Sequence, residues 1–140
     1  MKEGGAEFDK IELRYYSENY RGVHASQDIE EGDCLLQIPL SQIITLEMAF
    51  KSSIGQLMCE KDLKDKLICP NHSFLSAYIL QEKKKAKQDF AEFLDILPKS
   101  FEDFPIFFTE QERSFLKGSP FLSKIDKRIK EIETDYNLIC

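Results

Sequence analysis

No stretch of this 140-residue chain approaches the roughly 20 consecutive apolar residues that a membrane-spanning helix needs, so no membrane contact is expected. The opening residues Met1-Lys2-Glu3-Gly4-Gly5 also lack the apolar core of a secretory signal, and the expected location is the cytoplasm or nucleus. Positive charge is not in excess: 19 Lys and Arg face 25 Asp and Glu, leaving a formal charge of −6. Nonspecific affinity for nucleic-acid backbones or anionic lipid comes chiefly from clustered Lys and Arg, so direct nucleic-acid binding is not expected. Cys34, Cys59, Cys69 and Cys140 are scattered, without a C-x-x-C pair, and only His24 and His72 could join them in a metal site. Ordinary reduced thiols are the reading, and no metal is predicted. Internal repeats and low-complexity linkers are lacking too.

What is present is globular in kind. With 42% hydrophobic and 31% charged residues the chain sits in the ordinary folded range, at the length of one modest domain or a piece of one. The first third has strand character. Ile11, Leu13 and Tyr15 alternate with Glu12 and Arg14, then come Val23 and Ala25, then the apolar run 34–38. Residues 28–33 read as a tight acidic turn joining a strand at 20–25 to a strand at 34–38, with Gly32 free to take a positive φ. Pro39 suits the exit of that third strand, and Ile43 and Ile44 are placed to pair further. The acidic side chains Asp28, Glu30, Glu31 and Asp33 need no cation to explain them in such a turn.

From Thr45 onward the pattern is helical. Thr45 is an N-cap candidate for a short helix through Met48, Ala49 and Phe50, which Gly55 closes or kinks. Residues 61–66 are charged and expected at the surface. A longer helix starts near 71–73, whose polar side chains are placed to cap it, and continues through Phe74, Leu75, Tyr78 and Ile79 into the block 82–87. Phe90, Phe93, Leu94 and Leu97 form another stripe, ended by Pro98. Thr109-Glu110-Gln111-Glu112 has capping-box spacing, with Gly118 as the stop for the helix it opens. Ser119-Pro120 then reads as N-cap plus N1 proline. The last helix presents Phe121, Leu122, Ile125, Ile129, Ile132 and Tyr136 on one face. The fold class is therefore α+β, a small mostly antiparallel β region over 1–45 followed by helices over 46–140.

The segment Tyr20-Arg21-Gly22-Val23-His24-Ala25, its acidic turn and the run 34–39 together resemble the opening hairpin of SET-domain protein methyltransferases. The resemblance is to the branch typified by the Rubisco large-subunit methyltransferase, in which a helical insert splits the domain. Three further matches follow in the family's order: 70–83 with the first insert helix, Phe93-Leu94-Asp95-Ile96-Leu97-Pro98 with an aromatic-x-x-x-Leu-Pro element, and 104–108 with 116–121 as later insert segments. By that resemblance the parent activity is S-adenosylmethionine-dependent methyl transfer to a protein lysine, with histidine as the alternative acceptor, and the partner is a protein substrate or another protein. Asn19, Tyr20, Arg21 and Gly22 align with the family's cofactor-contacting segment. Gly22 matches the second glycine of a G-x-G, while Tyr20 stands where the first is expected, either blocking the pocket or stacking on adenine.

The family's Asn-His motif and catalytic tyrosine belong to a C-terminal part that is not recognisable here. No catalytic residue is assigned within these residues, and the chain is expected to be inactive alone. Asn71-His72 has the flanks of the insert helix, so a cap and a partly buried histidine are expected there. His24 reads as an outward strand residue, opposite in face to Val23 and Ala25. Lys83-Lys84-Lys85-Ala86-Lys87 reads as a solvated helix face, and the aromatic run 101–108 as packing of the insert on its own helices, with a partner groove as the alternative. For the whole chain the rival to an incomplete methyltransferase is a non-catalytic interaction module derived from a truncated SET protein.

Overall fold

The structure, a computed structural model, describes residues 4–17, 20–85, 87 and 89–140. Its backbone divides into two compact units, Met1–Ile44 and Thr45–Cys140. The architecture is α+β, with a two-stranded antiparallel sheet and seven α-helices among the described residues.

In the N-terminal unit β1 (Ile11–Ser17) pairs with β2 (Tyr20–Ala25) in the register Ile11 to Ala25, Leu13 to Val23 and Arg14 to Gly22, with an irregularity between Tyr15 and Ser17. The sequence predicts a different hairpin, in which 20–25 pairs with 34–38. The run 34–38 is not a ladder strand: its ordered backbone pairing is one antiparallel bridge, Gln37 with Glu7. Ile43 and Ile44 likewise add no strand, since Leu40–Gln42 is a 3-10 turn. Residues 34–38 have strand-like composition, but β2 pairs instead with β1, the alternating strand nearest to it in sequence, whose closure costs less chain entropy. The acidic turn forms as expected. Gly32 has φ +91°, the Asp33 N–H donates to the Glu30 carbonyl, and the Glu30 N–H donates to Asp33 Oδ2 at 2.8 Å. Lys10 pairs with the same carboxylate and holds it below the usual carboxylate range, helped by the Glu30 N–H.

The helical unit begins with α1 (Leu46–Lys51), where the Met48 N–H donates to Thr45 Oγ1 at 3.3 Å, the cap expected. Ser52 ends α1 and caps α2 (Ser53–Glu60) through the Gly55 N–H. Gly55 therefore neither closes nor kinks a helix but lies buried inside α2. A Cβ there would collide with the Ala49 carbonyl oxygen, so the residue is small because two stretches of backbone come close. After α3 (Leu63–Lys66), α4 (Pro70–Lys84) starts with proline in its first turn. The helices α1, α2 and α3 all pack on α4, whose buried positions Phe74, Tyr78 and Glu82 recur every four residues on one face. Phe50 meets Phe74 at 4.4 Å between ring centroids.

Beyond α5 (Ala91–Asp95) a 3-10 turn (Pro105–Phe107) leads to α6 (Glu110–Ser114), opened by the full Thr109/Glu112 capping box. α6 ends at Ser114, ahead of the expected stop, so Gly118, at φ +87°, lies in the turn beyond it; α7 (Phe121–Ile139) has Pro120 at its N-cap position rather than the expected N1, and the Phe121 N–H donates to Ser119 Oγ. The predicted apolar face of α7 is only partly covered: Ile125 is buried, while Ile132 and Tyr136 remain exposed. No helix among the described residues is long and apolar enough to cross a membrane.

Candidate functional site

Alternation along the hairpin sorts its side chains onto two faces. Tyr20, Gly22 and His24 share one face of β2, and Glu12, Arg14 and Tyr16 meet them from β1. Arg21 lies on the other face with Val23, Leu13 and Tyr15. Of the four residues matched to a cofactor segment, Tyr20 and Gly22 are thus brought together and Arg21 is turned away. Asn19 lies outside the described residues.

The ring of Tyr16 dominates the Gly22 face. It stands 5.1 Å from the Tyr20 ring and 5.7 Å from the His24 ring, and its hydroxyl is hydrogen-bonded to His24 Nε2. A Cβ on Gly22 would meet Tyr16 Cε2 at 3.3 Å, so the close approach that glycine permits is here made by a tyrosine of the same hairpin. His24 is accordingly half-buried, whereas Val23 is 65% exposed, the reverse of the burial expected from the sequence. Sequence reasoning missed Tyr16. The available signal was the Tyr15-Tyr16 doublet at the strand end, where the irregular register before Ser17 carries Tyr16 over to Tyr20.

The face offers a flat aromatic surface and a free strand edge. Tyr20 is 66% exposed and presents a ring on which a planar heterocycle can stack. The Ser26 N–H donates to the Lys10 carbonyl, and the ladder keeps that phase at Glu12/His24 and Arg14/Gly22. The peptide groups of Gly22 therefore point toward β1, and those of Arg21 and Val23 toward the outer edge of β2. Arg14 is engaged by Glu12, its Nε donating to Oε1 at 2.6 Å. No group of three or more His, Cys, Asp or Glu among the described residues is placed to hold a metal ion.

In the helical unit a groove of about 370 Å³ runs between α4 and α7, with Ala77, Leu80 and Ile132 lining it and Cys69, Arg128 and Asp135 among its polar residues. Those polar groups are committed to the fold. Asp135, 5% exposed, accepts from the Ile68 N–H at 2.7 Å, the Cys69 N–H at 2.9 Å and the Ser73 hydroxyl at 2.9 Å. Burial pushes its carboxyl up, but these three donors and the Arg128 charge outweigh burial and hold it below the usual range. Arg128 in turn donates to Cys69 Sγ at 3.1 Å and Glu131 Oε2 at 3.3 Å. Asp135 thus supplies the acceptor at the entry to α4 that the sequence assigned to 71–73. Asn71 and His72 are exposed, so the partly buried histidine expected there is not found.

The chain is similar along 96% of its length to actin-histidine N-methyltransferases: 24% identical over 135 residues to that of Xenopus tropicalis, and 23% over 134 residues to those of Homo sapiens and Callithrix jacchus. These relatives are protein methyltransferases. The chain spans only about a fifth of their length, 22% of each. No protein-family model and no solved structure matches it.

Proposed function

We propose that these residues form the N-terminal part of a SET-domain protein methyltransferase, with the hairpin as one wall of the S-adenosylmethionine site and α1 to α7 as its helical insert. The observation that supports this reading most is the extent of the similarity to actin-histidine N-methyltransferases, which runs through hairpin and helices alike rather than through one motif. The same relatives favour the imidazole of a protein histidine over the lysine amine as methyl acceptor, and they carry the reading closer to their own group than to the Rubisco-directed branch.

S-adenosylmethionine, when bound, supplies an electrophilic methyl on sulfonium. The residues of this chain fit a contact with its flat and hydrogen-bonding parts: Tyr20 offers a stacking surface, and the outer edge of β2 offers the peptide groups of Arg21 and Val23. Tyr16, not ligand, fills the space above Gly22. On the same face the Tyr16 hydroxyl and the His24 imidazole are hydrogen-bonded to each other. Methyl transfer is assigned to a longer protein in which a second wall completes the site.

The test is titration with S-adenosylhomocysteine, followed by calorimetry and by amide NMR, on this chain and on a longer protein carrying the same residues joined to an Asn-His motif and a later tyrosine. Binding by the longer protein with shifts at Tyr20, Arg21 and Val23, weakened about tenfold by Tyr20→Ala, is the expected result. Binding by neither protein, or shifts that avoid the hairpin, would sink the reading.

A further inference from the structure

Residues 101–108, Phe-Glu-Asp-Phe-Pro-Ile-Phe-Phe, fold as two successive turns. The Phe104 N–H donates to the Phe101 carbonyl at 2.9 Å, and the Phe107 N–H donates to the Phe104 carbonyl at 2.8 Å. Three-residue spacing in such turns stacks side chains on one side of the chain. Phe101 accordingly meets Phe104 at 5.7 Å and Phe107 at 6.4 Å between ring centroids. The turn is anchored: its second half packs against α7, and Pro105 and Ile106 are half-buried. The three rings are not buried by that anchoring. Phe101, Phe104 and Phe107 are 45%, 53% and 58% exposed and in mutual ring contact, and contiguous exposed apolar side chains of this kind mark interaction surfaces. Packing of this run onto its own helices, the expectation from sequence, accounts for Pro105 and Ile106 but not for the phenylalanines.

Charge selects the occupant. Glu92, Asp95, Glu102 and Asp103 flank the cluster in sequence with Lys99 among them, all are exposed, and none of the four acids makes an ion pair with a described residue, whereas Lys127 and Arg128 of α7, on which the turn packs, are paired with Glu131. A second copy of this chain would bring the same acids face to face, and an anionic lipid surface would be repelled. A segment rich in Lys or Arg would satisfy Glu102 and Asp103 while its cations lie over the phenylalanine faces and its apolar residues cover their edges.

We propose that the Phe101/Phe104/Phe107 cluster with Glu102 and Asp103 is a docking surface for a basic amphipathic peptide segment of a partner protein. The surface is independent of the methyl-transfer reading.

The probe is a fluorescein-labelled Leu/Lys amphipathic peptide, compared by anisotropy with its Leu/Glu counterpart and with phosphatidylserine-containing vesicles. The Leu/Lys peptide should bind, more weakly as salt rises, with NMR shifts at the three rings. Phe104→Ser with Phe107→Ser should lower its affinity by about tenfold or more. Glu102→Lys with Asp103→Lys, both at exposed positions that leave the packing untouched, should transfer binding to the Leu/Glu peptide. Glu30→Lys with Glu31→Lys changes the net charge equally in the other unit and should leave the preference for Leu/Lys intact. The proposal is overturned if the Glu102/Asp103 variant still prefers Leu/Lys, if the rings do not shift, or if vesicles bind in preference to the peptide.

Discussion

In the helical unit Ala49, Met58, Leu63, Leu67, Phe74, Tyr78, Leu94 and Ile125 are buried, whereas among the described residues of the N-terminal unit Ala6 is the one buried apolar side chain. There Leu13, Tyr15, Val23 and Leu36 are all at least half exposed. Both units carry the periodicity of their elements, yet only one converts it into a core. The reason is geometric: α4 is touched by α1, α2 and α3 and so covers one stripe from several sides, while a two-stranded sheet has two faces and nothing in its own strands to cover either. A surface built this way is fit to be one wall of something larger, which is the role proposed for it.

The largest expected effect sets the two units directly against each other. Phe74→Ala empties a fully buried site and should cost about 3–5 kcal/mol in chemical denaturation. Leu13→Ala, on the open face of the hairpin, should change stability by no more than about 0.5 kcal/mol. Amide exchange should show the same division, with slow amides in α4 and fast ones throughout β1 and β2. A Leu13→Ala cost comparable to that of Phe74→Ala would mean that the hairpin face is covered in solution, and the contrast would fail.

A smaller effect tests what locks the helical unit besides its apolar side chains. Asp135→Ala leaves the Ile68 and Cys69 N–H groups and the Ser73 hydroxyl without their shared acceptor, and should cost about 2–4 kcal/mol. Because the folded chain holds this carboxyl below its usual range, its contribution is complete above that range and is lost as pH falls through the lowered value. Denaturation curves for the natural chain and for Asp135→Asn should therefore differ most near neutrality and converge under acid. A gap that persists unchanged into acid would show that Asp135 acts by shape rather than charge.

What could be read from the sequence was what neighbours in sequence decide. The Thr45 cap, the turn at Gly32 and the Thr109 box each depend on residues within one turn of each other, and each is found as expected. The α+β class followed from the change of period near Thr45. What failed was whatever depends on a distant partner. Residues 34–38 have strand composition, but composition does not name the strand to pair with. The acceptor at the entry to α4 comes from α7, more than sixty residues away, where an aspartate between Thr134 and Tyr136 looks like any surface charge. Gly55 reads from sequence as a helix breaker because its real constraint, the Ala49 carbonyl where a Cβ would stand, is a contact and not a pattern. At the candidate site Gly22 was legible as a place of close approach, and Tyr16 as the group that makes it was not.

The smallest effect concerns a device that is wholly local. The Thr109 N–H donates to Glu112 Oε2 at 2.8 Å, and the Glu112 N–H donates back to Thr109 Oγ1 at 3.3 Å; hydrogen bonds from the Thr109 hydroxyl and N–H hold the Glu112 carboxyl below its usual range. Thr109→Ala should cost about 1 kcal/mol and speed amide exchange in the first turn of α6 while leaving α4 unchanged. The acidic turn of the N-terminal unit has the same reciprocal logic, with Asp33 accepting from the Glu30 N–H and the Asp33 N–H returning to the Glu30 carbonyl. Asp33→Ala removes that acceptor and the Lys10 partner, yet no core depends on the turn, so exchange should quicken only around Gly32. If Thr109→Ala instead loosens α7 as well, the cap is coupled to the packing of the helical unit, and stability there is shared between local and long-range contacts. If it stays confined, the two units differ only in their cores, because their local devices behave alike.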